Sequence, residues 1–556
     1  MNTVSAEPQL AEPYLLEWLS SVGLDVEYVR AEGNTLYYLD ERGQEIPVVD
    51  YAGGYGSLLF GHNHPEISGC AQRLLASGVP VHAQFSRHPY AQDVAATLNR
   101  IIQRELGTDE YYSAIFANTG AEAVEAAVKH AELDRVLRLK ELGERLAANL
   151  EAARAAVRDG TAAVSAEAYA LLGLDEDANG SVNEAVGGGT AEAGFEALAA
   201  EIVRRNADRT ARPPVFLALE GGFHGKLVGS VQLTHNEGYR TPFTALAARA
   251  RFLPVDRPDT LKEIIESERG TLLDTVVEDG AVRVVERNAP VFCACVVEPI
   301  QGEGGIRELD TEFAAALEDA CAAVECPIIV DEVQSGMGRT GTFLASSAVG
   351  LKGDYYALAK SIGGGVAKSS VMLARKSLYR PEFELVHSST FAKDAFSCFI
   401  ALKVLELLEA DGGQAYRTAA ERGGRLRGML ESVRADFPDV VSDVRGRGLM
   451  QGLEFHDQSG SQSPAVRESA GLLGYTVAGF LLRRHRVRTF PTASAVNTLR
   501  FEPSLYLTDS EIGQLEEALR DVCEIFDGTW KLSYWNTTKV KNPTGEQIRL
   551  DVNNWI

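Results

Sequence analysis

Residues 327–341 read PIIVDEVQSGMGRTG: an apolar, β-branched run that ends in two carboxylates, Asp331 and Glu332, and enters a glycine-rich loop. A short continuous apolar run bounded by turn residues is the pattern of a strand buried on both faces, as in a parallel sheet. A carboxylate buried at such a strand end suits a cationic partner, either a metal or a protonated ring nitrogen. Outward from this stretch the form repeats in SAIFAN (113–118), PVFLALE (214–220), RFLPV (251–255), FCACVVE (292–298) and YYALAK (355–360). Helical stretches such as AEAVEAAVKHAE and TEFAAALEDACAAVE lie between them. Strands alternating with helices predict an α/β fold on a mainly parallel sheet, with functional loops beyond the carboxyl ends of the strands.

Two other strand ends carry chemistry. YYALAK closes on Lys360 and turns through Ser361-Ile362-Gly363-Gly364-Gly365. A lysine there can be desolvated and have its pKa lowered, the conditions for a Schiff-base nucleophile. Asn118-Thr119-Gly120-Ala121-Glu122 ends one strand and opens a helix, whose first N–H groups form a phosphate cradle. Each feature alone has a plainer reading as a turn, a surface lysine or an ordinary helix start. Their joint order along successive strand ends is far more specific.

Composition bounds the rest. The chain has 556 residues and a formal charge of -24, from 78 acidic and 54 basic side chains. At about 150 residues per domain, that length allows two to four domains. The acidic balance argues against a broad nucleic-acid or anionic-membrane surface. No apolar run approaches the roughly 20 residues that span a bilayer. The acidic start, MNTVSAEPQLAEPYLLEWL, does not read as a signal peptide. The seven cysteines form no CxxC pair, and Cys293 and Cys295 sit in an apolar run as expected buried thiols. These features together describe a cytoplasmic protein with neither nucleic-acid nor membrane partners. GFHGKL (222–227) lacks the spacing and the Ser/Thr of a P-loop. His62, His64, His82 and His88 form no metal-ligand spacing with a nearby acidic residue, so no metal site is expected.

NTLYYLDERGQEIPVVDYAGGYG (34–56) reads as a β-hairpin about the turn Asp40-Glu41-Arg42-Gly43. After Phe396 a long helix, FSCFIALKVLELLEADG, precedes an α+β segment containing VVSDVRGRGLMQGLEF and NTLRFEPSLYLTDSEI. Residues 133–212 hold helical runs around DEDANGSVNEAVGGGT; the plainest reading is a surface helical hairpin or oligomer contact, the alternative a lid or partner dock. The tail 527–556 carries Trp530, Trp535 and Trp555, which suggests docking against a surface.

From about Leu36 to Phe526, residues 133–212 excepted, the chain resembles the class-III, ornithine/4-aminobutyrate-type aminotransferases, pyridoxal-phosphate enzymes of fold type I. GHNHP (61–65), NTGAEAVEAAVKHAE (118–132), FHGK (223–226), EPIQGEGGI (298–306), DEVQSGMGRTG (331–341), LAKSIGGG (358–365), SSTF (388–391) and VRGRGL (444–449) arrive in family order. The resemblance implies a small domain beginning with 1–60, a large cofactor-binding domain over 61–395 with a helical insertion, and a small-domain remainder over 396–526. It implies that Lys360 bonds covalently to the cofactor and shuttles the proton, and that Asp331 pairs with the pyridine nitrogen. Phe223 would stack on one ring face and Val333 would press on the other. Gln334 would reach the ring hydroxyl, with His224 and Glu298 also lining the cofactor. Thr119, Gly120 and Ala121 would hold the phosphate with Thr390 of a neighbouring subunit, in a homodimer with shared sites. Arg500 would clamp a substrate carboxylate and Glu303 would pair with it in turn, a switch that lets one site take a terminal amine and a 2-oxo acid. Tyr55 stands where relatives acting on diamino acids place a gating tyrosine, and Lys226 stands where many have arginine.

The implied activity is transfer of an amino group from an amine, diamino acid or amino acid to a 2-oxo acid by a ping-pong mechanism. After SSTF the family commonly continues Gly-Gly-Asn-Pro, whereas this chain has Ala392-Lys393-Asp394-Ala395, so a reshaped pocket is expected. The alternatives are the same cofactor chemistry diverted to decarboxylation, β/γ-replacement or carbon–carbon bond formation, and a non-catalytic scaffold, against which the retained Lys360 and Asp331 argue.

Overall fold

A computed structural model describes residues 11–83, 86–174, 190–461, 464–527, 539–541 and 547–549. Its centre is a seven-stranded sheet. The strand order is Tyr112–Ala117, Ser370–Arg375, Tyr355–Leu358, Ile328–Asp331, Phe292–Val297, Val215–Leu219, Ala250–Leu253. All six strands read from the sequence are present. Neighbours run parallel, except that Ser370–Arg375 is antiparallel to both strands beside it. That seventh strand was not anticipated. Only 359–369 separate it from the preceding strand, and a parallel return needs a crossover of about a dozen residues or more, so the chain folds straight back.

The three central strands are buried at every position, because helices cover both faces. Ala294, Val296, Ile329 and Tyr355 pack with Ala123, Val124 and Ala127 of the helix Gly120–Arg158. The alternate residues Cys295, Val297, Ile328 and Val330 pack with Phe313 and Leu317 of the helix Thr311–Ala323. This period of two is the pleat of the strand.

The hairpin forms as expected, Thr35–Leu39 against Glu45–Asp50, with Asp40 Oδ1 accepting from the Arg42 and Gln44 amides. It extends to a four-stranded sheet with Tyr28–Glu32 and the distant Val487–Arg488. A second four-stranded sheet joins Val441–Arg447, Met450–Phe455, Thr498–Phe501 and Phe490–Pro491. The long helix after Phe396 spans Ala395–Asp436 with a break at 410–413, where Asp411, Gly412 and Gly413 take positive φ.

Residues 133–212, read as a surface helical hairpin or an oligomer contact, pack on a further layer. The helix that starts at Gly120 runs unbroken to Arg158, and Ala191–Thr210 packs beside it. Leu150, Val157, Phe195, Leu198 and Ile202 bury against Leu273 and Val282. The last two belong to the antiparallel pair Gly270–Glu278 and Ala281–Ala289, which the sequence reading did not mark. An apolar helix stripe needs a second layer, and this pair supplies it.

The run 175–189 and the tryptophans Trp530, Trp535 and Trp555 lie outside the described residues. All seven cysteines are free and buried. Among the described residues, no helix is long and apolar enough to cross a membrane.

Candidate functional site

Residues singled out by sequence stand at or beyond the carboxyl ends of five strands of the central sheet. Thr119 follows the strand Tyr112–Ala117; Phe223 and His224 follow Val215–Leu219; Glu298 follows Phe292–Val297; Asp331 ends its own strand; Lys360 follows Tyr355–Leu358. A parallel sheet aligns these ends on one side, so residues more than 200 positions apart meet in one crevice.

Lys360 opens a short 3-10 turn with φ 49, a left-handed conformation that costs a non-glycine residue about 1–3 kcal/mol. Its ammonium makes no hydrogen bond or ion pair among the described residues. Burial lowers its pKa, and the charges of Glu502 and Glu303 oppose that without cancelling it.

Asp331 is nearly fully buried, and His224 Nδ1 lies 2.8 Å from its Oδ2. The carboxylate only accepts, so Nδ1 carries the proton. The Val333 amide donates to Oδ1 at 3.1 Å. Burial works against a charged His224, but the Asp331 hydrogen bond and the nearby carboxylates outweigh it and raise its pKa. Glu298 holds the loop beneath. Its Oε2 accepts from the Phe223 amide at 2.8 Å and its Oε1 from the Gly302 amide at 3.1 Å, and burial raises its pKa to about 7.

The phosphate cradle is built by a capping box. Thr119 Oγ1 accepts from the Glu122 amide, and Glu122 Oε2 accepts from the Thr119 amide. The amides of Gly120 and Ala121 reach no acceptor among the described residues. A Cβ at Gly120 would stand 2.5 Å from Val333 Cγ1, so only glycine lets the helix start approach Val333.

Arg500 and Glu303 form a closed pair. Arg500 Nη1 donates to Glu303 Oε1 at 2.7 Å, Nη2 donates to Oε2, and the Ala493 amide also donates to Oε2 at 2.7 Å. Burial opposes ionisation of Glu303, yet Arg500 holds the carboxyl down at about 2. The Arg500 guanidinium carbon sits 5.2 Å from the Tyr55 ring centroid, and Tyr55 stacks on Phe490. Lys226 Nζ lies 4.2 Å from the ring centroid of Tyr239, which also meets Phe223 edge-on. These contacts bring Tyr55 and Lys226 to the rim of the crevice.

Gln334 has a further partner. Its Nε2 donates to Glu502 Oε1 at 2.8 Å, which ties up one of its two N–H groups. Sequence reasoning missed Glu502, although a charge two places after Arg500 in RFEPSL shares its face and gave the signal. Glu502 is fully buried with Oε2 unpartnered among the described residues. Beside it lies the fully buried Arg339, also missed, whose guanidinium donates to the carbonyls of Gly56, Leu449 and Pro503. Thr390 is exposed, next to Ser389, whose hydroxyl accepts from Asn118 Nδ2 at 2.8 Å. In the departing loop, Asp394 Oδ1 accepts from the Ser397 amide and caps the long helix. His62 and His64 are taken up by Asp50 and the Tyr506 hydroxyl.

The donor set fits pyridoxal phosphate: two uncommitted amides at a helix N-terminus, a buried carboxylate with an imidazole behind it, and an unpartnered lysine of lowered pKa. The family model described as aminotransferase class-III matches residues 20–523. Among solved structures, the chain is similar to the ornithine aminotransferase from Toxoplasma gondii ME49, at 19% identity over 91% of this chain and 92% of that one, TM-score 0.61. It is similar also to an amine transaminase from an uncultivated Pseudomonas species, solved in its PLP-bound form, at 21% identity over 90% and 95%, TM-score 0.62. A Bacillus anthracis aminotransferase matches at 19% identity over 90% and 93%, TM-score 0.62. At these identities the structural likenesses establish the fold.

Proposed function

Because this chain belongs to the class-III aminotransferase family and is a pyridoxal-phosphate-dependent aminotransferase, we propose that Lys360 carries its covalent chemistry, Asp331 its electronic control and Arg500 its substrate carboxylate. The enzyme moves an amino group from an amine or amino acid donor to a 2-oxo acid in two half-reactions. When bound, the cofactor supplies an electrophilic carbon and a protonated ring that takes up the electron pair left by a departing proton. Lys360 Nζ, its pKa lowered by desolvation, removes the proton from the donor carbon and returns it one atom away. His224 orients the Asp331 carboxylate toward the ring nitrogen. Thr119, Gly120 and Ala121 take the phosphate, Phe223 and Val333 the ring faces, and Gln334 its remaining N–H for the ring hydroxyl. Glu303 withdraws Arg500 when the donor lacks an α-carboxylate and releases it for the 2-oxo acid, with Tyr55 and Lys226 at the entrance.

The observation that carries this reading is the unpartnered Lys360 ammonium, under the electrostatic influence of both Asp331 and the Glu303–Arg500 pair. Borohydride reduction of the loaded enzyme should leave a pyridoxyl group on Lys360, read by peptide mass spectrometry. A single turnover with donor amines should then convert the cofactor to its amine form, followed by absorbance. Labelling at another lysine, or donors that never convert the cofactor, would overturn the assignment.

A homodimer with Thr390 reaching the partner's site is the assembly we propose. Thr390 sits in an exposed run with Leu385, Val386 and Phe391, whose exposures of 90%, 66% and 63% favour a covering surface. Light scattering should give twice 60.1 kDa, and Thr390→Ala should weaken cofactor binding; a monomer of full activity would refute the proposal. Seven buried free thiols support a reducing, cytoplasmic location.

A further inference from the structure

At the far end of the sheet, away from the candidate site, a cavity of about 600 Å³ opens between the outer strands and the insertion. Val215 and Ala250, the first residues of their strands, line it, whereas the site residues stand at the carboxyl ends. Six arginines surround it, Arg135, Arg209, Arg212, Arg249, Arg251 and Arg269, and Glu268 is its one acidic lining residue. In a chain with 24 more acidic than basic residues, this is a local reversal of charge.

The six are not equivalent. Arg135 is buried and fully engaged by Glu132 and the Pro290 carbonyl. Arg209 is held by Thr271 and Glu286, and Arg269 by Glu266 and Asn288. Arg251 meets Glu268 only at 3.9 Å. Arg212 and Arg249 are exposed, and their guanidinium groups make no hydrogen bond or ion pair among the described residues. Two unspent guanidinium forks and a third loosely held one therefore face a cavity whose other walls are fixed by engaged arginines. Guanidinium forks match phosphate oxygens two at a time.

A second, largely apolar cavity of about 250 Å³ adjoins the first, and Leu139, Thr210 and Leu272 line both. It lies between the helices Gly120–Arg158 and Ala191–Thr210 and the strand Gly270–Glu278. The first cavity falls within the 300–1,000 Å³ of small-molecule sites.

We propose that this composite cavity binds a small molecule carrying two or more linked phosphates, its phosphates held by Arg212, Arg249 and Arg251, with the adjoining apolar cavity taking any less polar part the ligand carries. The site is built by the insertion and the sheet edge together. The shared chemistry is a polyphosphate, which a nucleotide-type cofactor or an inorganic chain could supply.

Isothermal titration of the pyridoxal-phosphate-loaded enzyme with ADP, coenzyme A and sodium tripolyphosphate at low salt tests this. One equivalent per chain should bind, and the Arg212→Glu/Arg249→Glu double variant should raise the dissociation constant at least tenfold while leaving the donor half-reaction rate unchanged. ADP or coenzyme A binding at least tenfold tighter than tripolyphosphate, with the excess removed by Ala147→Trp in the apolar cavity, identifies the nucleotide class. Equal affinities that ignore Ala147→Trp identify the inorganic chain. Binding of none of the three below millimolar concentration, or binding indifferent to the charge reversal, overturns the proposal.

Discussion

Replacing Glu303 by glutamine tests the proposed substrate switch at its centre. In the structure the Glu303 carboxyl is held at about 2 instead of the ordinary 4.5. That displacement corresponds to about 3 kcal/mol in favour of its ionised, Arg500-bound form. Removing one partner of a buried pair costs about 3–5 kcal/mol by the general rule, so the two figures agree. A substrate carboxylate must displace Glu303 before it can reach Arg500, and part of that free energy is charged against every α-carboxylate. Glutamine keeps the shape and can still accept from the Ala493 amide, but it releases the charge. The expected result is a change in substrate preference of up to about 100-fold, since each 1.4 kcal/mol is a factor of ten. Stopped-flow absorbance of the donor half-reaction should show kcat/KM for L-glutamate rising relative to that for an amine without a carboxylate. If the ratio stays within about threefold, or both donors fall together, Arg500 does not receive the carboxylate. Acid stability has a definite sign here. The stabilisation from Glu303 is fully present above about pH 4.5 and is lost as pH falls toward about 2.

Gly120→Ala puts a Cβ 2.5 Å from Val333 Cγ1, and equilibrium dialysis should show pyridoxal phosphate binding weakened about 10–100-fold, from a site misplaced by tenths of an ångström. His224→Ala takes away the donor to Asp331 Oδ2, and kcat should fall about 10–100-fold, as for outer-shell partners generally. Because His224 has a raised pKa, its contribution to stability is complete below pH 6.5 and lost as pH rises through the raised value; the wild-type advantage in urea melts should shrink in the same direction. Arg339→Met strands three backbone carbonyls and removes one of the buried cations near Glu502, so urea unfolding should show a loss of about 3–5 kcal/mol. Glu502→Gln removes the largest charge that holds up the Lys360 pKa, and the pH midpoint of the Lys360-bound cofactor's absorbance should move down.

Much of this architecture was legible because buried parallel strands are written as short apolar runs. VFCACVV and PIIVDE could be read directly, since both faces of each strand are covered and no polar residue interrupts it. Ser370–Arg375 was passed over because its antiparallel return lacks the helix that marks a crossover. The pair Gly270–Glu278 and Ala281–Ala289 was missed for another reason. The first strand places Asp274 and Thr275 among its buried residues, and the second is mostly exposed or half-buried with charges such as Arg283 and Arg287, so neither shows a clean apolar run or alternation. In the site, residues closing a strand were readable one by one. Glu502 and Arg339 were not, because their roles depend on each other and on the Gly56 carbonyl, and only the folded chain brings them together.

The sheet's polarity separates the candidate site from residues 133–212. Parallel strands send all their carboxyl ends one way, so a site built there depends on strand ends and on the loops just beyond them. Residues 133–212 leave the helix Gly120–Arg158 well past its first turns and rejoin the sheet at Val215, an amino end. Length can be added along that route without moving Thr119, Phe223 or Asp331. The same geometry explains the arginine cavity. An insertion anchored at the amino ends creates a new crevice there, walled by the outer strand Ala250–Leu253, whose backbone edge no further strand of its sheet covers. Net charge could not reveal it, because the arginines at 135, 209, 212, 249, 251 and 269 are diluted among acidic neighbours in sequence and concentrated only by the fold. If ligand binding in that crevice alters catalysis, the influence must travel through the strands Val215–Leu219 and Ala250–Leu253 to Phe223 and its Glu298 anchor. The effect would then be seen in cofactor binding before it is seen at Arg500.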